Sequence, residues 1–178
     1  MGTYPSGRAC QRTRTLILMP KTLTSSKAKA CAVEIQYASP ALEKKVSALA
    51  SSTLIKKWVR ASVTHSGHLT VRFVNRTEGQ LLNSQFRTKA YATNVLTFTY
   101  GISQSELAAD IVLCMPVVTS EARDQGKAVK AHLAHLVVHG CLHAAGLDHM
   151  TQQGAKVMEA REVAILKNLG FSDPYVIN

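Results

Sequence analysis

The 178-residue chain predicts an α+β fold: a single compact domain in which helices pack on a mixed β-sheet and one buried helix carries a stripe of histidines. Three observations predict it. Short β-branched runs alternate with longer stretches whose apolar residues recur at helical spacing. Their order is strand, helix, strand, helix, two strands, two helices, with no internal repeat, as a mixed sheet packed by helices requires. The segment 132–149, HLAHLVVHGCLHAAGLDH, is apolar almost all round except for imidazole.

The elements follow in order. Residues 33–38 alternate enough for a first strand, and Pro40 suits the first turn of a helix. Leu42, Val46, Leu49, Leu54, Trp58 and Val59 then predict one helix to about residue 60. Beyond Gly67, the β-branched run 69–74 reads as a second strand. Thr77-Glu78-Gly79 opens a short helix carrying Leu81, Leu82 and Phe86. Residues 95–100 and 111–118 predict two more strands. A long helix is expected over 122–145, interrupted or bent around Gly126, and a last one over 151–169, closed by Gly170.

Composition bounds the partners. Hydrophobic residues at 46% and charged residues at 18% exclude a disordered polyelectrolyte. No run of about 18 apolar residues occurs, so no membrane-spanning helix and no membrane partner is expected. The formal charge of +10 points to a polyanion. Residues 1–32 hold Arg8, Arg12, Arg14, Lys21, Lys27 and Lys29 and no acid, so more than half of that excess lies there. This stretch is read as a disordered basic extension, or as the product of a start codon assigned too far upstream, in preference to the organelle transit peptide with which its composition is compatible. Residues 33–178 are then the folded domain. Cys10, Cys31, Cys114 and Cys141 form no CxxC pair, which fits a reducing, cytoplasmic home without disulfides. Cys114 and Cys141 read as small core residues.

The histidine helix carries the chemistry. His132, His135, His139 and His143 fall on one stripe at 3.6 residues per turn. A buried helix with such a stripe must satisfy those nitrogens, and a metal does so directly. His139 and His143 are an i, i+4 pair, Gly146 lets the helix stop, and His149 follows close enough to fold back. A bare HxxxH is more often a pair of core histidines bonded to carbonyls; Gly146 and His149 reverse that reading. Three imidazoles leave one tetrahedral position open, the arrangement of a catalytic zinc site. His132 and His135 are expected to support the site from the interior without ligating. Zinc proteases carry a Glu after the first ligand, and Gly140 stands there, which argues against peptide hydrolysis.

The segment 139–149, HGCLHAAGLDH, resembles the metal motif of the YbeY family of single-strand-specific endoribonucleases and rRNA maturation factors. The blocks 82–89 (LNSQFRTK), 92–98 (ATNVLTF) and 110–114 (DIVLC) are similar to the family's as well, as is the ending 159–175. The likeness covers roughly residues 33–175. It implies one zinc ion held by His139, His143 and His149, and Arg87 facing the metal cleft. It also implies single-stranded RNA as substrate, specifically 16S rRNA in 3′-end maturation and late ribosome quality control, with the ribosome or small-subunit proteins as partners. Leu147 stands where the family usually has Tyr, which puts the pocket wall in question, and residues 1–32 have no counterpart.

Mechanistic expectations follow. Zinc lowers the pKa of bound water to about 7 and so needs no carboxylate base. Arg87 is expected to clamp two non-bridging phosphate oxygens, with Lys89 touching the RNA backbone. Thr93 and Asn94 read as the turn before a strand rather than as cleft wall. Arg123, Lys127 and Lys130 read equally as an RNA track or a solvated face. Trp58 and Phe86 read as core, so RNA binding would lean on charge and the sugar-phosphate chain. Two rivals stand beside this reading: a non-catalytic assembly factor with structural zinc, and a zinc hydrolase of small substrates.

Overall fold

The computed structural model describes residues 31–103 and 106–176, so residues 1–30 of the expected extension lie outside the described residues, while Cys31 is buried and Ala32 already belongs to the first strand. The chain runs β1 (Ala32–Tyr37), α1 (Pro40–Leu49), α2 (Ser52–Ser62), β2 (Ser66–Val74), α3 (Arg76–Arg87), β3 (Val95–Ile102), β4 (Glu106–Cys114), α4 (Met115–Asp124), α5 (Val129–Ala144) and α6 (Gln152–Asn168). The four strands form one sheet in the order β1-β2-β4-β3. β1 and β2, and β2 and β4, pair in parallel, whereas β3 runs antiparallel to β4 on an edge. The predicted α+β class with a mixed sheet is what the chain adopts.

Alternation along the inner strands sorts side chains to two layers. Leu69, Val71 and Phe73 of β2 and Ile111 and Leu113 of β4 face the main core, which α1, α2, α5 and α6 complete with Val46, Ile55, Trp58, Val137 and Leu166. Val112 and Cys114 point the other way, into a smaller cluster with Val74 and Leu96, covered by Leu82 of α3. Helix α5 lies inside, with ten of its sixteen residues buried. Such a helix cannot be recognised by a one-sided apolar stripe, because every side of it meets protein.

Three expectations are corrected. The helix expected over 40–60 is two, because Leu49 and Leu54 are five apart and the spacing slips there. Ser51 caps the second, its Oγ accepting from the Leu54 N–H at 3.3 Å. The strand expected over 111–118 ends at Cys114; Pro116 occupies the first turn of α4, where its missing N–H costs nothing. The stretch over 122–145 takes the interrupted form of the two expected: α4 and α5 are separated by residues 125–128, with Gly126 at φ 64°. Finally, Trp58 is core at 1% exposure, but Phe86 is not, at 61%. It sits near the end of α3, beyond the reach of the smaller cluster's buried residues.

Gly140 sets how closely α5 approaches the sheet. A Cβ there would lie 2.8 Å from Ile111 Cγ2, closer than packed carbons stand. This explains why the position after the first histidine carries no carboxylate: there is no space for a side chain. In urea unfolding, Gly140→Ala should lower the midpoint. Overpacking costs about 1–3 kcal/mol, more than the roughly 1 kcal/mol that Ala gains over Gly in helix propensity.

Candidate metal centre

Helix α5 ends in a turn that builds the site. Gly146 takes the left-handed conformation at φ 87°, its N–H donating to the His143 carbonyl at 2.9 Å, while the Leu147 N–H reaches the Leu142 carbonyl at 3.0 Å. This paired pattern is the Schellman stop, for which Gly at that position is suited. The turn sends the chain back so that His149 lies over the last turn of the helix. The ring centroids of His139 and His143 are 4.6 Å apart, those of His143 and His149 4.9 Å, and those of His139 and His149 5.6 Å. One nitrogen from each lies within 4.8 Å of the others, so the three could hold one metal ion.

The second nitrogen of two of these rings is already committed. His139 Nδ1 donates to Glu162 Oε1 at 2.8 Å, and His143 Nδ1 donates to the Leu147 carbonyl at 3.0 Å. Carboxylate and carbonyl oxygens only accept, so both protons sit on Nδ1 and both Nε2 lone pairs are free. Burial, reinforced by the neighbouring His139 and His149, pushes the His143 pKa below its ordinary value and favours the neutral ring that a metal requires.

Glu162 is the centre of the support. Its side chain, only 1% exposed, accepts from His139 and, through Oε2, from His135 Nε2 at 2.8 Å and the Tyr175 hydroxyl. Burial alone would raise its pKa, but hydrogen bonds from His135, His139 and Tyr175 reverse this and hold it at about 2. Beside it, His132 Nε2 donates to Glu121 Oε2 at 2.9 Å, and so does Asn94 Nδ2 at the same distance. His132 and His135 thus each face a carboxylate, and His135, His139 and Glu162 form a second group whose ligand atoms lie within 4.8 Å of one another.

In front of the histidines opens a cleft of ≈ 430 Å³ whose walls are Asn83, Arg87, Thr93, Asn94 and β3 residues through Thr99. Arg87, the last residue of α3, lines it opposite the three rings, and no carboxylate pairs with it among the described residues. Thr93 and Asn94 do both jobs. Asn94 Oδ1 accepts from the Val95 N–H at 2.6 Å, as a turn residue does, yet both side chains face the cleft. Lys89 does not line the cleft, and Lys127 donates to the Pro174 carbonyl at 2.6 Å instead of standing free. Leu147 packs on the main core and gives the site only its carbonyl, so its side chain is no part of the pocket wall.

Sequence reasoning missed Glu162, Glu121 and Tyr175 as parts of this network. For Glu162 a signal existed: Met158, Glu162 and Leu166 recur every four residues, placing an acid on the buried stripe of α6.

The family model for endoribonuclease YbeY matches residues 32–170. This chain belongs to the YbeY family. The endoribonuclease YbeY of Polynucleobacter asymbioticus is 60% identical over 144 residues, covering 81% of this chain and 93% of that protein. The endoribonuclease YbeY of Methylibium petroleiphilum is 50% identical over 121 residues, covering 68% and 80%. A Thermotoga maritima protein known from its solution structure aligns with 81% of this chain and 99% of its own, at 23% identity and a TM-score of 0.46. The match to the YbeY model spans the sheet, the cleft and the whole of α6, and ends before Phe171 and Tyr175.

Glu162→Gln should leave the fold intact but turn an amide N–H toward one of the histidine donors. Metal affinity, read by competition with a chromogenic chelator, is expected to fall about 10–100-fold, as for other partners of metal-bound histidines.

Proposed function

We propose that the chain is a zinc-dependent endoribonuclease that cuts single-stranded RNA at this cleft. One observation carries the reading: two bare Nε2 atoms, fixed by buried acceptors, converge with His149 opposite an unpaired arginine in an open polar cleft. His139, His143 and His149 would hold the ion. Three neutral imidazoles suit zinc, and among the described residues no fourth histidine, cysteine or carboxylate joins them, which speaks against a structural zinc in a non-catalytic factor. Bound there, zinc supplies Lewis-acid polarisation of a phosphoryl oxygen and acidification of water.

The protein's own groups do the rest. Arg87 binds two non-bridging oxygens of the scissile phosphate and offsets the charge that grows on them during cleavage. Asn83, Thr93 and Asn94 offer hydrogen bonds to sugar or phosphate along the wall. Glu162, through His139, holds the ring fixed so that no reorientation is needed during the reaction. The family resemblance and the names of the relatives support RNA as the substrate. The resemblance alone supports the setting: 16S rRNA 3′-end maturation and late ribosome quality control in the cytoplasm, in contact with the small subunit. No helix among the described residues is long and apolar enough to cross a membrane.

Cleavage of single-stranded RNA by stringently purified protein tests this. His143→Ala and Arg87→Ala should each lower the rate by a factor on the order of 10² or more, with zinc lost only from the first. Equal cleavage by wild type and both variants would sink the assignment.

A further inference from the structure

The segment 86–91, Phe-Arg-Thr-Lys-Ala-Tyr, has a place in the fold that its sequence does not announce. Phe86 is 61% exposed and Tyr91 60%, two rings open to solvent within six residues of one another. Between them stand two cations, Arg87 and Lys89. The segment is held in shape. Thr88 turns the chain at φ 57°, the Lys89 N–H donates to the Asn83 carbonyl, Gln80 Nε2 donates to the Ala90 carbonyl at 2.9 Å, and Asn83 Nδ2 donates to the Tyr91 carbonyl at 2.7 Å.

These bonds tie it to the cleft. Asn83 and Arg87 are themselves wall residues, and Thr93, two residues past Tyr91, is another. On its far side, Phe86 meets Phe98 edge to face, with centroids 4.9 Å apart and planes at 67°. Phe98 lies on β3 between the wall residues Thr97 and Thr99, and β3 is an edge strand, so the two sheet faces meet there at an open border. An edge-to-face contact engages one part of a ring and leaves other ring surface open. Ring faces beside cations, continuous with a phosphate-binding cleft, are the features by which proteins bind unstacked bases of single-stranded nucleic acid.

We infer that Phe86 and Tyr91 are base-stacking subsites for nucleotides flanking the scissile phosphate of a single-stranded RNA. This rests on the endoribonuclease reading and adds to it how the enzyme selects unpaired RNA: bases locked in a duplex offer no free face to the rings. It also adds ring stacking to the expected reliance on charge and the sugar-phosphate chain.

The test is binding of a fluorescent single-stranded RNA to the zinc-loaded protein, compared among wild type, Phe86→Leu, Tyr91→Ala and Tyr91→Phe. Phe86→Leu keeps apolar bulk against Phe98, and thermal melting of each variant checks the fold. Loss of either ring should weaken binding about fivefold or more, Tyr91→Phe should bind as wild type, and the salt dependence of binding should not change. With RNA made abasic on both sides of the cleavage site, the difference between wild type and the ringless variants should vanish. If wild type binds RNA and the folded ringless variants bind it equally well, the stacking subsites are wrong while the endoribonuclease reading stands. An equal loss on intact and abasic RNA would overturn them too. If wild type neither binds nor cuts single-stranded RNA, the underlying reading fails first.

Discussion

A buried carboxylate holds this structure's active region together. Glu162 has no exposed surface, yet it stays charged because His135, His139 and Tyr175 all donate to it. Taking a carboxylate out of water costs several kcal/mol, and only well-placed donors offset that. The donors come from α5 and from the segment after α6, so the carboxylate fixes the mutual position of three parts of the chain. The same bond to His139 decides which of its nitrogens is free. Packing and chemistry therefore share one constraint: α6 cannot shift along α5 without releasing a candidate metal ligand.

Around that constraint the two helix ends use the same device. After α5, Gly146 and the Leu147 N–H close the helix, and Leu147 then offers its carbonyl to His143. After α6, Gly170 at φ 86° and the Phe171 N–H, donating to the Leu166 carbonyl at 2.9 Å, do likewise. That second turn seats Phe171 against Trp58, with centroids 5.7 Å apart, and returns the chain so that Tyr175 meets Glu162. The sheet contributes by leaving β3 at its edge. With no further strand beside it among the described residues, the cleft opens directly onto the histidine face of α5.

Much of this was legible in the sequence. The spacing of His139, His143, Gly146 and His149 encodes a helix, its stop and a returning ligand, all local features that 3.6 residues per turn and one glycine determine. The strands were legible in the β-branched runs, apart from their ends. What failed was non-local or ambiguous. Val117 and Val118 extend a β-branched run into α4, and only Pro116 hints at the change. Phe86 follows the apolar spacing of α3 but meets Phe98 of the edge strand with one part of its ring and stays 61% exposed. Glu162 acts on a histidine 23 residues away, and pairing across that distance leaves no local pattern beyond an acid on an apolar stripe. Arg87 as a cleft residue came from resemblance, because a cation at a helix end is ordinarily just solvated.

The account turns on where two protons sit. Long-range ¹H–¹⁵N correlation spectra of histidine-labelled, metal-free protein at neutral pH report the tautomer of each ring. The structure predicts Nδ1 protonated and Nε2 bare for both His139 and His143. Protonation of Nε2 on either ring, with Nδ1 bare, would contradict the claim that Glu162 and the Leu147 carbonyl prepare the site for a metal.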